Sequence, residues 1–368
     1  MKVLHLNAGN ESGGGMVHIL SLLKELNKDE FFLGLFEKGI FEEKAKAAGI
    51  HTVTFEQTSR YDLSILFKII KFIKEEKIDI LHTHGPRANL YGYLIKKFTS
   101  VIWMTTVHSD PRNDFLGRGV KGKLFTQLNL AVLKKPDHYF AISKRFTEML
   151  EEFGVGTQKI TTIYNGIDFS FTPNKKLSRE ELKLSVEDFV ILMVARLDPV
   201  KRHKLAIDAV EKAIQLHPQI KLLLVGDGPL KDDLRKLIKE KGLEHCVTLF
   251  GHREDVDAFY DVADITLLTS QTESFPLVLL ESARSCTPVI TTDVGGVGEM
   301  IPDSSYGFIV RGDEKEEIVS AISTAVKLKE KDNLSNMGIK FYNYVSKRFS
   351  LESFAKSIYN TYRLYCDK

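Results

Sequence analysis

The chain has 368 residues, 43% hydrophobic and 27% charged, which is the composition of a globular protein with two domains of ordinary size. Its formal net charge of +2 excludes a protein whose whole surface is basic, and we expect no nucleic acid among its partners. Three cysteines, Cys246, Cys286 and Cys366, have no metal-ligand spacing and cannot form a complete set of disulfides, so we expect a reducing compartment.

Short apolar runs alternate with helical stretches through the first half of the chain. Residues 1–9 are typical of a strand rather than of a charged secretory leader. Lys68 and Lys71 interrupt the most apolar stretch, 63–73, which predicts an amphipathic helix and not a membrane span. Further strands are predicted at 79–84, 101–108, 138–143 and 159–165, and helices near 16–26 and 121–134. This alternation predicts a parallel sheet with helices on both faces.

Two features of this half lie where a predicted strand ends. A glycine loop follows the first strand, but it lacks the G-x-G-x-x-G spacing and the later acidic residue of a dinucleotide site. We therefore expect Gly14 and Gly15 to contact a phosphate or an acceptor. His108 ends another strand, although a lone histidine is more often structural and the chain has 11.

The stretch 171–188 is rich in Lys, Glu, Pro and Ser and is predicted to be a linker between domains 1–170 and 189–348. The second half again alternates, with strands predicted at 189–195, 221–226, 247–251, 264–270 and 288–293. A C-terminal helix at 349–368 could pack on either domain. The fold class is therefore α/β, with two doubly wound, Rossmann-like domains that face a cleft. In such sheets ligands bind beyond the carboxyl ends of the strands.

Two cations follow the first strand of the second half. Arg196 lies at the strand end and Lys201 at a predicted helix start, where a cation opposes the helix dipole. A solvated charge run is the usual meaning of such residues, but an anion between them would explain the position better. The tight turn at Gly226 is by itself ordinary turn chemistry that also lets the backbone approach a ligand.

Two glutamates flank the start of another predicted helix. Glu273 precedes Pro276, which favours a helix start, and Glu281 lies about two turns into the helix. Eight residues at 1.5 Å each span roughly 12 Å, about the distance from a sugar across a diphosphate to a ribose. With 49 acidic residues in the chain such a pair also arises by chance, so its place beyond a strand end is what favours a site.

Two further stretches have simple explanations. Gly295 and Gly296 precede Glu299 after the last clear strand, and a turn alone would explain the glycines. Asp255 and Asp257 form a D-x-D pattern, but residues two apart on a helix do not share a face. We interpret that pattern as solvated surface and expect no metal site.

In chain order, these stretches resemble the retaining glycosyltransferases of family 4, which have the GT-B fold. The resemblance runs through nearly the whole chain and is strongest over 191–299, where "VARLDPVKRHKLAIDAV", "VGDGP", "LFGHREDV", "TESFPLVLLES" and "TTDVGGVGE" stand in order. The family often has Ala and Gly where this chain has Ser282 and Cys286, which puts the helix C-cap in doubt but not the site.

The resemblance implies roles for individual residues. His108, Glu273, Arg196 and Lys201 would be catalytic, with His108 beside the transferred sugar and the two cations on the donor diphosphate. Glu281 would hold the ribose. The remaining donor-binding residues would be Gly14, Gly15, Gly226, Ser274, Phe275, Pro276 and Leu277. The family also implies that the C-terminal helix packs back on the first domain.

The sequence therefore predicts a glycosyltransferase that uses a nucleotide sugar, expected to be a UDP-sugar, with no cofactor and no metal. The donor would bind the second domain and a sugar or lipid-linked acceptor the first, in cell-surface polysaccharide or glycolipid synthesis. A sugar-nucleotide epimerase of the same fold and a non-catalytic sugar-nucleotide-binding module remain alternatives. The sequence names neither the sugar nor the acceptor.

A basic stretch suggests where the protein works. Residues 84–145 contain eleven Lys or Arg and three Asp, including the lysines at 96, 97, 121, 123, 134 and 135 beside apolar and aromatic residues. A solvated basic face would explain the pattern equally well. We expect a cytoplasmic protein with peripheral contact to anionic lipid on the inner face of the membrane.

Overall fold

The computed structural model describes residues 1–10, 13–59, 62–112, 114, 119–172, 175–311 and 314–367. The chain divides into two compact units: residues 1–165 with 351–368, and residues 166–350. The predicted boundary at 170 thus lies five residues beyond the end of the first unit's main segment. The stretch predicted as a linker lies within the second unit, where Leu177, Leu182 and Leu184 pack beside the buried Phe259 and Tyr260.

The first unit is built on a seven-stranded parallel sheet with strand order β3-β2-β1-β4-β5-β6-β7. Its strands are β1 (Val3–Asn7), β2 (Phe31–Leu35), β3 (Thr52–Thr54), β4 (Ile80–His84), β5 (Ile102–Val107), β6 (His138–Ala141) and β7 (Ile160–Thr162). Every residue of β1, β2, β4 and β6 is buried, as expected of strands covered on both faces.

Helices cover both faces of this sheet. They are α1 (Gly14–Glu25), α2 (Ile40–Ala47), α3 (Ser64–Glu76), α4 (Pro86–Lys96), α5 (Gly119–Leu133), α6 (Lys144–Glu152) and the C-terminal α14 (Leu351–Cys366). Phe354, Ile358 and Tyr362 of α14 lie in one core cluster with Ile19 of α1 and Ile80 of β4. The C-terminal helix therefore completes the core of the first unit.

The second unit has a six-stranded parallel sheet with strand order β10-β9-β8-β11-β12-β13. Its strands are β8 (Phe189–Val194), β9 (Ile220–Val225), β10 (Val247–Gly251), β11 (Ile265–Leu268), β12 (Val289–Thr292) and β13 (Phe308–Val310). Its helices are α7 (His203–Ala213), α8 (Lys231–Glu240), α9 (Asp257–Val262), α10 (Leu277–Arg284), α11 (Val297–Met300), α12 (Lys315–Glu330) and α13 (Leu334–Arg348).

The strand order of each sheet reverses once. In the first unit the reversal lies between β1 and β4, and in the second between β8 and β11. Loops diverge from the carboxyl ends of the strands at such a point and leave a crevice, where ligands of this fold class bind. Among the described residues, no helix is both long and apolar enough to cross a bilayer.

Candidate functional site

The reversal in the second unit is surrounded by most of the residues that the sequence singles out. Arg196 and Lys201 follow β8, whereas Glu273 follows the adjacent β11. Gly226 follows β9 on one side and Gly295 follows β12 on the other. All four strands are parallel, so these loops share one edge of the sheet.

Lys201 and Glu273 form an ion pair at this edge. The hydroxyl of Ser270 donates a hydrogen bond of 2.6 Å to the same oxygen, Glu273 Oε1. The Gln271 amide donates to the Val200 carbonyl at 2.8 Å and therefore fixes one loop against the other. The helix predicted to begin near Lys201 is α7, which begins two residues later at His203. Lys201 itself ends a 3-10 turn (Pro199–Lys201), which the left-handed Arg202 separates from α7.

Arg196 is exposed and makes an ion pair with Asp198, two residues further along the chain. Its guanidinium lies at the carboxyl end of β8 with a side chain long enough to reorient. The turn after β9 requires glycine at 226, because φ there is +146° and an added Cβ would overlap the Ala195 carbonyl. Gly226 therefore lets two loops of the edge approach closely, while the structure assigns it no ligand.

The loop before α10 places backbone N–H groups at the carboxyl edge of the sheet. Pro276 is the N-cap and Leu277 the first residue of the helix, so the first amides of α10 lack partners within the helix. Phe275 is buried and packs against Phe349 with ring centroids 5.5 Å apart. The Ser274 carbonyl accepts a hydrogen bond from the Gly296 amide at 3.2 Å.

Gly295 explains why the loop after β12 can approach this segment. Its φ is +51°, and an added Cβ would overlap the carbonyls of Glu273 and Ser274. The loop at Gly295 thus packs against the segment 273–275 and supports it. That role is structural, and it goes beyond the turn chemistry predicted from the sequence.

Glu281 lies on α10 and accepts a hydrogen bond of 2.9 Å from the hydroxyl of Tyr260 on α9. Burial raises the pKa of Glu281 above its ordinary value, whereas the Tyr260 hydrogen bond opposes that rise. Asp257 raises the same pKa further and Arg284 lowers it. The carboxyl group is therefore held in place by a neutral donor instead of a cation.

The D-x-D residues are both ion-paired. Asp255 pairs with Arg253 at 2.7 Å and with Lys175 at 3.1 Å, and Asp257 pairs with Arg284. Asp257 begins α9, whereas Asp255 precedes that helix. Each carboxylate thus has its own cationic partner.

In the first unit, His108 follows β5 next to the last residue of β4, His84. His84 Nδ1 and His108 Nε2 are 3.0 Å apart, and His5 Nδ1 lies 3.0 Å from His84 Nε2. Burial is the first cause that lowers the pKa of His84 and His108 well below the ordinary value. Gly14 and Gly15 begin α1 at the same reversal of strand order, and Gly14 is exposed.

Four supporting residues escape the sequence analysis: Ser270, Tyr260, Asp198 and His84. Ser270 and Asp198 are two or three residues from the predicted site residues that they contact, and Tyr260 is 21 residues from Glu281, but no pattern in the sequence indicates these three contacts. The segment "LHTH" offered one signal, because His82 and His84 are two apart on a strand and must share a face.

Comparison with known families decides what kind of protein carries this site. The family described as glycosyl transferases group 1 matches residues 174–341, and glycosyltransferase family 4 matches residues 12–171. The chain belongs to the group 1 glycosyltransferases. The family predicted from the ordered motifs is therefore confirmed.

The individual relatives of this glycosyltransferase have sequence identities below 30%. It is 29% identical over 314 residues to N-acetyl-alpha-D-glucosaminyl L-malate synthase of Bacillus anthracis, covering 82% of this chain and 80% of the relative. It is 27% identical over 299 residues to the UDP-Gal:alpha-D-GlcNAc-diphosphoundecaprenol alpha-1,3-galactosyltransferase of Escherichia coli, covering 79% and 76%.

Solved structures agree on the fold of the glycosyltransferase. Anabaena Alr3699/HepE in complex with UDP superposes with a TM-score of 0.86 at 22% identity, covering 99% of this chain and 100% of the other. A glycosyltransferase from Rickettsia africae gives a TM-score of 0.84 at 21% identity, with 99% and 98% covered. The predicted GT-B fold, with two Rossmann-like parallel-sheet domains, is confirmed.

Proposed function

We propose that this glycosyltransferase transfers a sugar from a UDP-sugar to an acceptor, with retention of anomeric configuration and without a metal ion on the donor diphosphate. The observation that carries the proposal is the convergence of Lys201, Glu273 and the first amides of α10 at the reversal of strand order in the second unit. That convergence combines a cation, a hydroxyl-binding carboxylate and an anion-binding helix start.

The donor diphosphate would bind between Lys201, Arg196 and the amides of Phe275 and Leu277. The bond from sugar to diphosphate breaks during transfer, so negative charge develops on the leaving phosphate. Preorganised cations and N–H groups stabilise that charge, and one such group is typically worth about 3–4 kcal/mol. Arg196 can exchange Asp198 for the diphosphate because its side chain is exposed.

The two glutamates would divide the recognition of the donor. Glu273 would accept hydrogen bonds from hydroxyls of the transferred sugar, since Lys201 and Ser270 hold its carboxylate at the strand end. Glu281 would accept from the two ribose hydroxyls, with Tyr260 orienting its other oxygen. Two carboxylates, one just before α10 and one within it, would thus recognise the hydroxyls at the two ends of the donor.

The neighbours of the chain support the choice of nucleotide and the direction of stereochemistry. Alr3699/HepE is described in complex with UDP, and the E. coli relative is named for UDP-Gal. Both curated relatives carry an alpha configuration in their names, and an alpha product from an alpha-linked donor is retention. His108 would lie beside the reacting sugar, as the family resemblance implies.

The first unit would supply the acceptor side, in polysaccharide or glycolipid synthesis. The E. coli relative is named for a diphosphoundecaprenol acceptor, a lipid-linked sugar. Val120, Leu124 and Leu128 of α5 are spaced four residues apart and are 85%, 69% and 43% exposed. The lysines at 121, 123, 134 and 135 are exposed beside them. An apolar stripe with flanking lysines is the pattern of a helix that lies on anionic lipid.

A donor panel tests the proposal directly. UDP-, GDP- and ADP-sugars are incubated with lipid-linked acceptors, with EDTA or with magnesium, and the release of nucleoside diphosphate is followed. We expect release from a UDP-sugar, dependent on acceptor and unchanged by EDTA, and an alpha product by proton coupling constants. Release without acceptor would favour an epimerase, and loss in EDTA with rescue by metal would contradict the metal-free clamp.

A further inference from the structure

The first unit contains a buried cluster of histidines at its own reversal of strand order. The register of the sheet pairs His5 of β1 with His82 of β4, and the two-residue period of a strand puts His84 on the same face as His82. His18 of α1 and His108 after β5 complete the cluster. One ring nitrogen from each of His18, His84 and His108 lies within 4.8 Å of the other two.

The other triplet of this cluster, His5, His82 and His84, is internally satisfied. Both nitrogens of His82 have partners, Tyr362 and Thr106, and His5 contacts His84 and Tyr362. All three rings are fully buried. This triplet therefore supports the core and the orientation of His84.

His18 differs, because one of its nitrogens has no partner. Its Nδ1 lies 2.5 Å from the carbonyl oxygen of the Asn165 side chain, an acceptor, so Nδ1 carries the hydrogen. The lone pair is then on Nε2, which is buried and without a hydrogen-bond partner among the described residues. A buried acceptor without a partner costs free energy, so it calls for an explanation.

We propose that His18, His84 and His108 bind one divalent transition metal ion such as Zn²⁺ or Co²⁺. Neutral imidazole suits these ions, and three histidines with an open fourth position form a known type of zinc site. Metal–nitrogen bonds of about 2.0–2.1 Å require ligand nitrogens roughly 3.3 Å apart, so separations of up to 4.8 Å would have to shorten by at most about 1.5 Å.

The outer nitrogens of two ligands already have the partners that a metal site needs. His18 donates from Nδ1 to Asn165, and His84 uses Nε2 toward His5 while Nδ1 faces His108. Such outer-shell hydrogen bonds fix the tautomer and aim the inner nitrogen at the metal.

No carboxylate belongs to either histidine group among the described residues. The bound ion would keep its double charge, and the fourth position would take water, hydroxide or an anionic oxygen. His108 is half-buried, whereas His18 and His84 are buried, so access would be from the His108 side. The chemistry of the site is thus that of an open three-histidine centre, separate from the diphosphate clamp.

The test uses the full chain without a metal-binding tag, titrated with Co²⁺ and followed by its visible absorption and by calorimetry. We expect one Co²⁺ per chain with the bands of a tetrahedral ion, displaced by Zn²⁺. Asn165→Ala should weaken binding by about 10- to 100-fold, the usual effect of an outer-shell partner. His108→Gln should weaken it at least as much.

His245→Gln is the matched control, because His245 is exposed in the second unit and outside the cluster. Circular dichroism checks that His108→Gln, a half-buried position, remains folded. Absence of tetrahedral bands in the wild type would overturn the proposal, as would His108→Gln binding Co²⁺ as tightly as wild type. These measurements need neither donor nor acceptor, so they stand apart from the fate of the proposed transfer reaction.

Discussion

Lys201 and Glu273 form an ion pair although 72 residues separate them in the chain. The pair connects the loop after β8 to the loop after β11, which are neighbouring strands. A cation that faces both a carboxylate and a neighbouring helix start can bind phosphate while it still positions the carboxylate. In the proposed reaction the two residues would therefore couple the recognition of the leaving group to that of the sugar.

Replacement of Lys201 by Ala should lower kcat by about a hundredfold or more, the usual loss for one preorganised charge-stabilising group. The protein should remain folded, because Lys201 is half-buried at a strand end and is not part of the core. Nucleotide release and a thermal melt measure both effects. Lys204→Ala, an exposed lysine on α7, is the control, and a near-normal rate for Lys201→Ala would contradict the clamp.

The two glutamates should separate binding from turnover. Glu281→Ala should mainly weaken the binding of UDP, because the proposed ribose contact would exist before and during the reaction. Glu273→Ala should mainly lower kcat, since its carboxylate is proposed to orient the reacting sugar. Calorimetry with UDP and steady-state rates distinguish the two. UDP binding by Glu281→Ala at wild-type strength would refute the ribose assignment.

The raised pKa of Glu281 should make donor binding depend on pH, given the proposed contact with the ribose. Burial raises this pKa, and the carboxylate form is the better acceptor for ribose hydroxyls, so affinity for a UDP-sugar should fall as pH falls through it. Tyr260→Phe removes a hydrogen bond that lowers the pKa and should move the midpoint to higher pH. Titrations of Kd against pH measure the midpoint, and Glu281→Gln should give a flat profile.

The raised pKa of Glu281 should change the stability of the free enzyme with pH in the opposite direction to its effect on donor affinity. Folded Glu281 keeps its proton to higher pH than the unfolded chain does, so the folded state binds more protons in that window. The free energy of unfolding should therefore decrease as pH rises from the ordinary value of 4.5 through the raised pKa. A midpoint that Tyr260→Phe leaves unchanged would show that another group controls the pH dependence.

The sequence predicts those parts of this structure that depend on local patterns. Buried parallel strands such as β8 are continuous apolar runs, and the motifs beyond them stand in a recognisable order. The strands β2, β3 and β13 are not predicted from the sequence. Of these, β3 and β13 are edge strands of three residues and contain too little pattern. The predicted helix start at Lys201 is two residues early, since the left-handed conformation of Arg202 is not visible in composition.

Tertiary partners are what the sequence could not supply. Tyr260 and Glu281 are 21 residues apart and Ser270 and Glu273 only three, yet neither pair stands out in the sequence. Likewise, His18 and Asn165 are 147 residues apart in the chain. They meet because α1 and the last residue of the first unit's main segment lie at the same edge of the sheet. Such contacts follow from strand order, which a single sequence does not specify.

Cys286 should be replaceable by Gly with a gain in stability. It follows α10 with φ of +54°, a left-handed conformation that favours glycine. Relief of that strain should stabilise the protein by about 0.5–1 kcal/mol, after the larger chain entropy of glycine is subtracted. Urea unfolding measures it. Cys286→Ala is the control, because it removes the thiol but keeps the Cβ, and equal stability of the two variants would contradict the strain argument.

The apolar stripe on α5 should determine whether the enzyme binds membranes. Leu124 is 69% exposed, and its burial in lipid would contribute about 1.5–3 kcal/mol, with about 1 kcal/mol from each nearby lysine. Lys96 contributes less, because it is paired with Asp137 at 2.6 Å. Leu124→Asn should therefore weaken co-sedimentation with anionic vesicles by about tenfold or more at low salt.

Salt and lipid charge separate the two contributions to that binding. High salt should weaken wild-type binding while leaving part of it, because the apolar contact is not screened. Leu216→Asn, which changes a leucine 65% exposed in the second unit, should bind like wild type. Equal binding to neutral and anionic vesicles would remove the electrostatic contribution. Unchanged binding by Leu124→Asn would show that α5 is not the contact, and lipid docking would then require another surface of the first unit.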